Sequence, residues 1–173
     1  MRYLKKSGFL KHIFKSAPLI ILFIAVLNEF DANYFGIPFL SVNLAFILIF
    51  FWTLKNIEQF GYGYIFLAGI INDVVQNFPI GISSINYMLL CSFALFIRAR
   101  TLLPNLLYDW GFFIIAILII SSLHYSILTI VFDIPIRYGT LMFSSVLTFL
   151  VYPLFSKLFN QIYLIDLRQE NAK

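Results

Sequence analysis

Long apolar stretches broken by short polar or turn-forming segments dominate the chain. They fall at 17–27, 39–54, 62–75, 81–97, 110–131 and 139–159. In lipid, only helices or a closed barrel satisfy every backbone N–H and C=O, and runs without apolar–polar alternation are not barrel strands. The pattern therefore predicts six helices. Several runs are shorter than the roughly 20 residues that a spanning helix needs, so these helices are expected to extend into their polar flanks. The breaks carry turn chemistry: Gly36-Ile-Pro38, Gly61-Tyr-Gly63, Phe78-Pro79, Pro104, and Pro135 before Gly139. Short connections favour antiparallel neighbours. No internal repeat or low-complexity tract interrupts the series.

Composition identifies the solvent. Apolar residues make up 61% of the chain and charged residues 12%, with a mean hydropathy of +0.92. A soluble globule of this size must present a polar exterior, so the solvent is lipid. The expected layout is a basic cytoplasmic N-terminal arm at 1–16, a six-helix transmembrane domain at 17–160 and a cytoplasmic C-terminal tail at 161–173. No stretch is left for a soluble catalytic domain. The N-terminus has the basic-then-apolar form of a secretory signal. No small-x-small cleavage site follows it, because Asn28, Glu29, Phe30 and Asp31 come next. It is therefore read as a retained first helix.

The net charge of +4 matters through its placement. With the N-terminus inside, the inner segments hold Arg2, Lys5, Lys6, Lys11, Lys15, Lys55, Arg98, Arg100, Lys157, Arg168 and Lys173. These are 11 of the 12 Lys and Arg, and only Arg137 falls outside. Basic loops stay cytoplasmic during insertion, so both termini are expected inside. This distribution is not a nucleic-acid signal. Cys91 is the sole cysteine, which excludes an intrachain disulfide.

Polar groups inside apolar runs are costly and are the places to look for function. The third run ends in Gly69, Asn72, Asp73, Gln76 and Asn77, which share one helical face. Three uses of Asp73 are open: a proton or cation relay, a ligand site, or a hydrogen-bonded helix contact near the outer interface. Direct contact with a partner protein stands beside them. The fourth run places Ser83, Asn86, Tyr87, Cys91 and Ala94 on one stripe, whose small and polar members suit helix packing. Pro79 and Gly81 make the turn between these runs tight. His124 lies deep in the fifth run beside Ser121, Ser122, Tyr125, Ser126 and Thr129. It is either a neutral hydrogen-bonded bundle residue or, with Asp73, a relay.

No second His or Cys stands at ligand spacing, so no metal site is expected. His12 belongs to the basic arm, whose Phe9, Leu10, Ile13 and Phe14 give it an amphipathic look. That arm is either a topology signal or a surface-lying segment. Trp52, Trp110 and several tyrosines near run ends read as interface anchors. No phosphate loop, nucleophile elbow or paired-carboxylate arrangement appears.

The segment from Phe66 to Gly81 resembles the central signature of the bacterial rod-shape-determining MreD family: a Gly-apolar-apolar-x-Asp helix end, a short polar step, then Pro-x-Gly opening the next helix. Gly69, Asp73, Pro79 and Gly81 match it one by one, and Asn86-Tyr87 follows the family habit. Pro38 opening the second run and Trp52 near its end look similar too. The inner loop Lys55-Asn56-Ile57-Glu58 departs from the family pattern, which often has a Pro after that Trp. Length, run number and topology agree over essentially the whole chain.

The resemblance implies a non-enzymatic inner-membrane subunit of the cell-elongation machinery without a cofactor. Its expected partners are the lipid bilayer and an MreC-like bitopic protein. Indirect partners are the RodA glycosyltransferase, a class B penicillin-binding protein and MreB. The candidate structural or partner-binding residues are Gly69, Asn72, Asp73, Gln76, Pro79, Gly81, Asn86 and Tyr87. The family is also similar in fold to the six-helix S subunits of energy-coupling-factor vitamin transporters. That similarity supplies the alternative function, with Asp73, Asn86, Tyr87 and His124 lining a ligand pocket near the outer face.

Overall fold

The computed structural model describes residues 16–27, 30–31, 41–101, 105–134 and 138–171. The described residues are helical apart from one short ladder and the connecting turns. Its six helices are α1 (Ser16–Leu27), α2 (Leu44–Phe60), α3 (Tyr62–Gln76), α4 (Ile82–Arg100), α5 (Leu106–Phe132) and α6 (Tyr138–Asn171). Two strands, β1 (Phe30–Asp31) and β2 (Ser41–Val42), pair antiparallel between α1 and α2, with Phe30 opposite Val42. The basic arm with His12, the Gly36–Pro38 turn, Pro104, Pro135 and Arg137 lie outside the described residues.

Each apolar run corresponds to one helix, with corrections at the ends. The second run enters helix only at Leu44, because β2 precedes it and Asn43 caps it, accepting from the Phe46 amide at 3.0 Å. The stretch Lys55-Asn56-Ile57, read as inner loop, stays within α2 but breaks its regularity at Asn56 (φ −156°, ψ 90°). Gly61, at φ 62°, joins α2 directly to α3. Past the last apolar run, α6 continues to Asn171.

α2 is the central helix. Every residue at 45–53 is buried, as expected for a helix that is apolar on all faces. Phe50 packs on Phe113 of α5 (5.0 Å) and Tyr152 of α6 (6.0 Å). Phe46 meets Tyr87 of α4 edge-on at 5.8 Å. Trp52, expected as an interface anchor, is instead 1% exposed, set among Phe51, Phe60 and Phe159. The correction follows from its place on the one helix that is enclosed on all sides.

Two helix irregularities free carbonyls that other side chains then satisfy. Pro153 inside α6 has no N–H for the carbonyl four residues earlier. That carbonyl, Phe149 O, accepts from Trp110 Nε1 at 2.9 Å, and the two rings stack at 4.8 Å. Trp110 is therefore half-buried and hydrogen-bonded within the protein, whatever its height in the bilayer. In α2 the break at Asn56 takes the chain off the path that would present the Ile57 amide to Thr53 O. Arg98 Nη1 donates to that carbonyl at 3.4 Å.

Large apolar side chains are also abundant on the exterior. Ile115, Leu118 and Ile119 on α5 and Met142, Val146, Leu150 and Leu154 on α6 are all largely exposed. Three helices are long and apolar enough to cross a membrane: α4, α5 and the 141–165 portion of α6. Their solvent-facing apolar girdle makes this a membrane protein in its surface chemistry.

Candidate functional site

The polar residues singled out in the third and fourth runs meet in one joint, where α3 ends and α4 begins. α3 closes in a Schellman motif: Phe78 N–H donates to Asp73 O (2.9 Å) and Asn77 N–H to Val74 O (3.4 Å). Asn77 takes the left-handed conformation (φ 55°) that the motif requires and that Asn tolerates. Pro79 then directs the chain away, and Gly81 stands at φ 107°, a backbone region that L side chains rarely adopt.

α4 has no side-chain cap of its own at Gly81. Asp73 supplies one from α3. Its Oδ2 accepts from Gly81 N–H at 2.7 Å and its Oδ1 from Ser83 N–H at 2.9 Å, in a residue that is fully buried. The first turn of a helix leaves amide donors without intrahelical partners, and an acidic side chain suits that end of the macrodipole. Asn72 adds a bond from Nδ2 to Ser83 Oγ at 3.0 Å.

Gly69 lies one turn before Asp73, where α3 packs against the backbone of α4. A Cβ on Gly69 would overlap the Cα and backbone N of Ser84, so only glycine admits this approach. Ser84, which the sequence reading passed over, is fully buried and donates from Oγ to Phe66 O at 3.0 Å. Its signal was available: a small hydroxyl residue at the start of a run, facing a glycine in the run before.

A second polar contact ties α4 to α5. Asn86 and His124 are hydrogen-bonded to one another through Nδ2 and Nδ1. Phe78 meets the imidazole edge-on at 5.5 Å, so the α3–α4 turn packs against His124. Asp73 and His124 are not hydrogen-bonded to one another; each is engaged by α4 instead. Asn86 Oδ1, Gln76 Nε2, Tyr125 OH and Thr129 Oγ1 are buried without a protein hydrogen-bond partner. Tyr87 is buried in the core against Phe46. Cys91 is buried and accepts from Thr53 Oγ1 at 3.7 Å.

Gly69, Asn72, Asp73, Pro79 and Gly81 thus belong to one interlocked hairpin, with Asn86 and His124 beside it. Among the described residues no group of three or more His, Cys, Asp or Glu could hold a metal ion. The arrangement fixes the angle and depth of two helices. A scan against protein-family models, a search of curated proteins and a search of solved structures each return no match.

Proposed function

We propose that the chain is a non-enzymatic subunit of the bacterial cell-elongation machinery, similar to MreD. In this reading it sits in the inner membrane as a six-helix bundle with both termini cytoplasmic. It binds the single transmembrane helix of an MreC-like protein and helps to organise peptidoglycan synthesis. RodA, a class B penicillin-binding protein and MreB are its indirect partners.

One observation carries the reading. The residues on which the resemblance rests are those that the α3–α4 joint needs. Gly69 makes room for Ser84, Asp73 caps α4, and Gly81 holds a positive φ after Pro79. A signature whose members each serve one rigid joint suits a protein whose output is shape. The test is crosslinking in intact cells, affinity purification of the chain and mass spectrometry of what accompanies it. An MreC-like protein is the expected recovery, lost in an Asp73→Leu variant. Wild-type recovery without any such protein would defeat the proposal.

A second reading, an S subunit of a vitamin transporter, is favoured by one feature. Asn86 and His124 form a part-buried polar pair beside the α3–α4 turn, and Asn86 Oδ1 has no protein partner. Co-purification of an ATPase energy module, or thermal stabilisation of the purified chain by a vitamin, would favour that reading instead.

A further inference from the structure

The opposite end of the bundle, where α2 and α4 finish, carries three cations. Lys55 is half-buried on α2 with its ammonium 6.0 Å from the Phe51 ring centroid. Arg98 and Arg100 close the last turn of α4 and are exposed. Arg98 is tethered by Nη1 to Thr53 O, across the α2 break. This bond brings its guanidinium to the turn of α2 that carries Lys55. Arg100 lies over the ring of Phe96, 4.2 Å from its centroid, and Phe96 is itself 54% exposed on the apolar exterior. Among the described residues no carboxylate lies within ion-pair distance of these three cations; Asp109 of α5 acts on Lys55 from farther away.

The same end bears exposed aromatic rings with polar tips. Tyr62 and Tyr64 open α3 immediately after α2, and Tyr108 opens α5 after α4. Tyrosines in this setting favour the headgroup level of a bilayer, with the ring in the acyl boundary and the hydroxyl in water. Cations, a tyrosine belt and apolar exposed rings therefore share one level.

We propose that Lys55, Arg98 and Arg100 form a binding site for the phosphate of an anionic phospholipid. The chemistry is direct. A guanidinium presents N–H donors in a planar fork matched to phosphate oxygens, and Arg98, an exposed residue, spends one donor on Thr53 O. The tether also lowers the entropy lost on binding, because the side chain is already held. Arg100 on Phe96 lies against the surface that the lipid's acyl chains would follow. The proposal rests on the membrane-crossing reading, which puts this end at a headgroup layer. It goes beyond topology: a basic residue that merely orients insertion needs no fixed geometry and prefers no lipid.

The test is native mass spectrometry of the full chain, with phosphatidylglycerol and phosphatidylcholine of matched acyl chains as probes. Wild type is expected to retain phosphatidylglycerol preferentially. Arg98→Gln and Lys55→Gln should each weaken retention about fivefold, and the double variant about thirtyfold. Arg98→Lys, which keeps the charge but loses the planar fork, should fall between wild type and Arg98→Gln. Inorganic phosphate at millimolar concentration should leave the retained lipid in place, which separates a headgroup site from a free-phosphate site. Equal retention of both lipids by wild type, or unchanged retention in the double variant, would overturn the site and leave the membrane reading standing. A wild-type chain that holds neither lipid would overturn both.

Discussion

Asp73 accepts from two backbone amides with two different oxygens, and this decides how its substitutions rank. Asparagine offers one acceptor and turns an –NH2 donor toward the remaining amide. Asn therefore keeps one of the two bonds. A buried donor left without a partner costs about 1–3 kcal/mol, so Asp73→Asn is expected to lose about that much. Asp73→Leu leaves both amides unsatisfied and should lose about twice as much. Gly69→Ala belongs in the same series. Its Cβ meets the backbone of Ser84, so shortening the neighbour by Ser84→Gly should not restore stability. Thermal unfolding of the purified chain in detergent measures all of these. An Asp73→Leu variant as stable as Asp73→Asn would refute the two-amide account.

At the scale of elements, the apolar pattern located every helix because lipid makes the cost of a misplaced polar residue large. The Gly69–Asp73 face was legible for the same reason: an acid and a glycine one turn apart in an apolar run need a neighbour. Other features were not legible. A tryptophan near the end of a run reads alike whether it faces headgroups or core, so the burial of Trp52 depends on α2 being central, which is a tertiary fact. The use of Trp110 depends on Pro153, a residue in a different helix. This pairing gives an element-scale prediction. Trp110→Phe keeps the ring stack on Phe149 but removes the donor to its carbonyl, at a cost of about 1–3 kcal/mol. In a Pro153→Ala background the residue 153 amide supplies the missing intrahelical donor, and the same change should cost markedly less. A double-mutant cycle by thermal unfolding reads this coupling. Additive effects would show that Pro153 is not what makes Phe149 O available.

For the whole molecule, side-chain contacts fix which helix ends lie together. Asn43 N–H donates to Thr148 Oγ1 and Ser144 Oγ to Ser41 O, so the starts of α2 and α6 share an end with Gly81 and His124. Thr53, Arg98 and the Asn105 cap of α5 occupy the other. If the exposed apolar girdle is lipid-facing, these two ends face opposite aqueous compartments. Lys55, Arg98 and Arg100 all fall at the Asn105 end, and basic ends stay cytoplasmic during insertion, so that end is expected inside. Ile80, 74% exposed in the α3–α4 turn, and Asn105, exposed before α5, are suited to report on the two sides. Cys91 is buried, so the native chain provides a quiet background for single introduced cysteines. In intact cells a membrane-impermeant maleimide should label Ile80→Cys but not Asn105→Cys, and permeabilisation should make Asn105→Cys reactive. Labelling of Asn105→Cys from outside would invert the bundle. Equal labelling of both before permeabilisation would mean that these ends do not lie on opposite sides of a membrane.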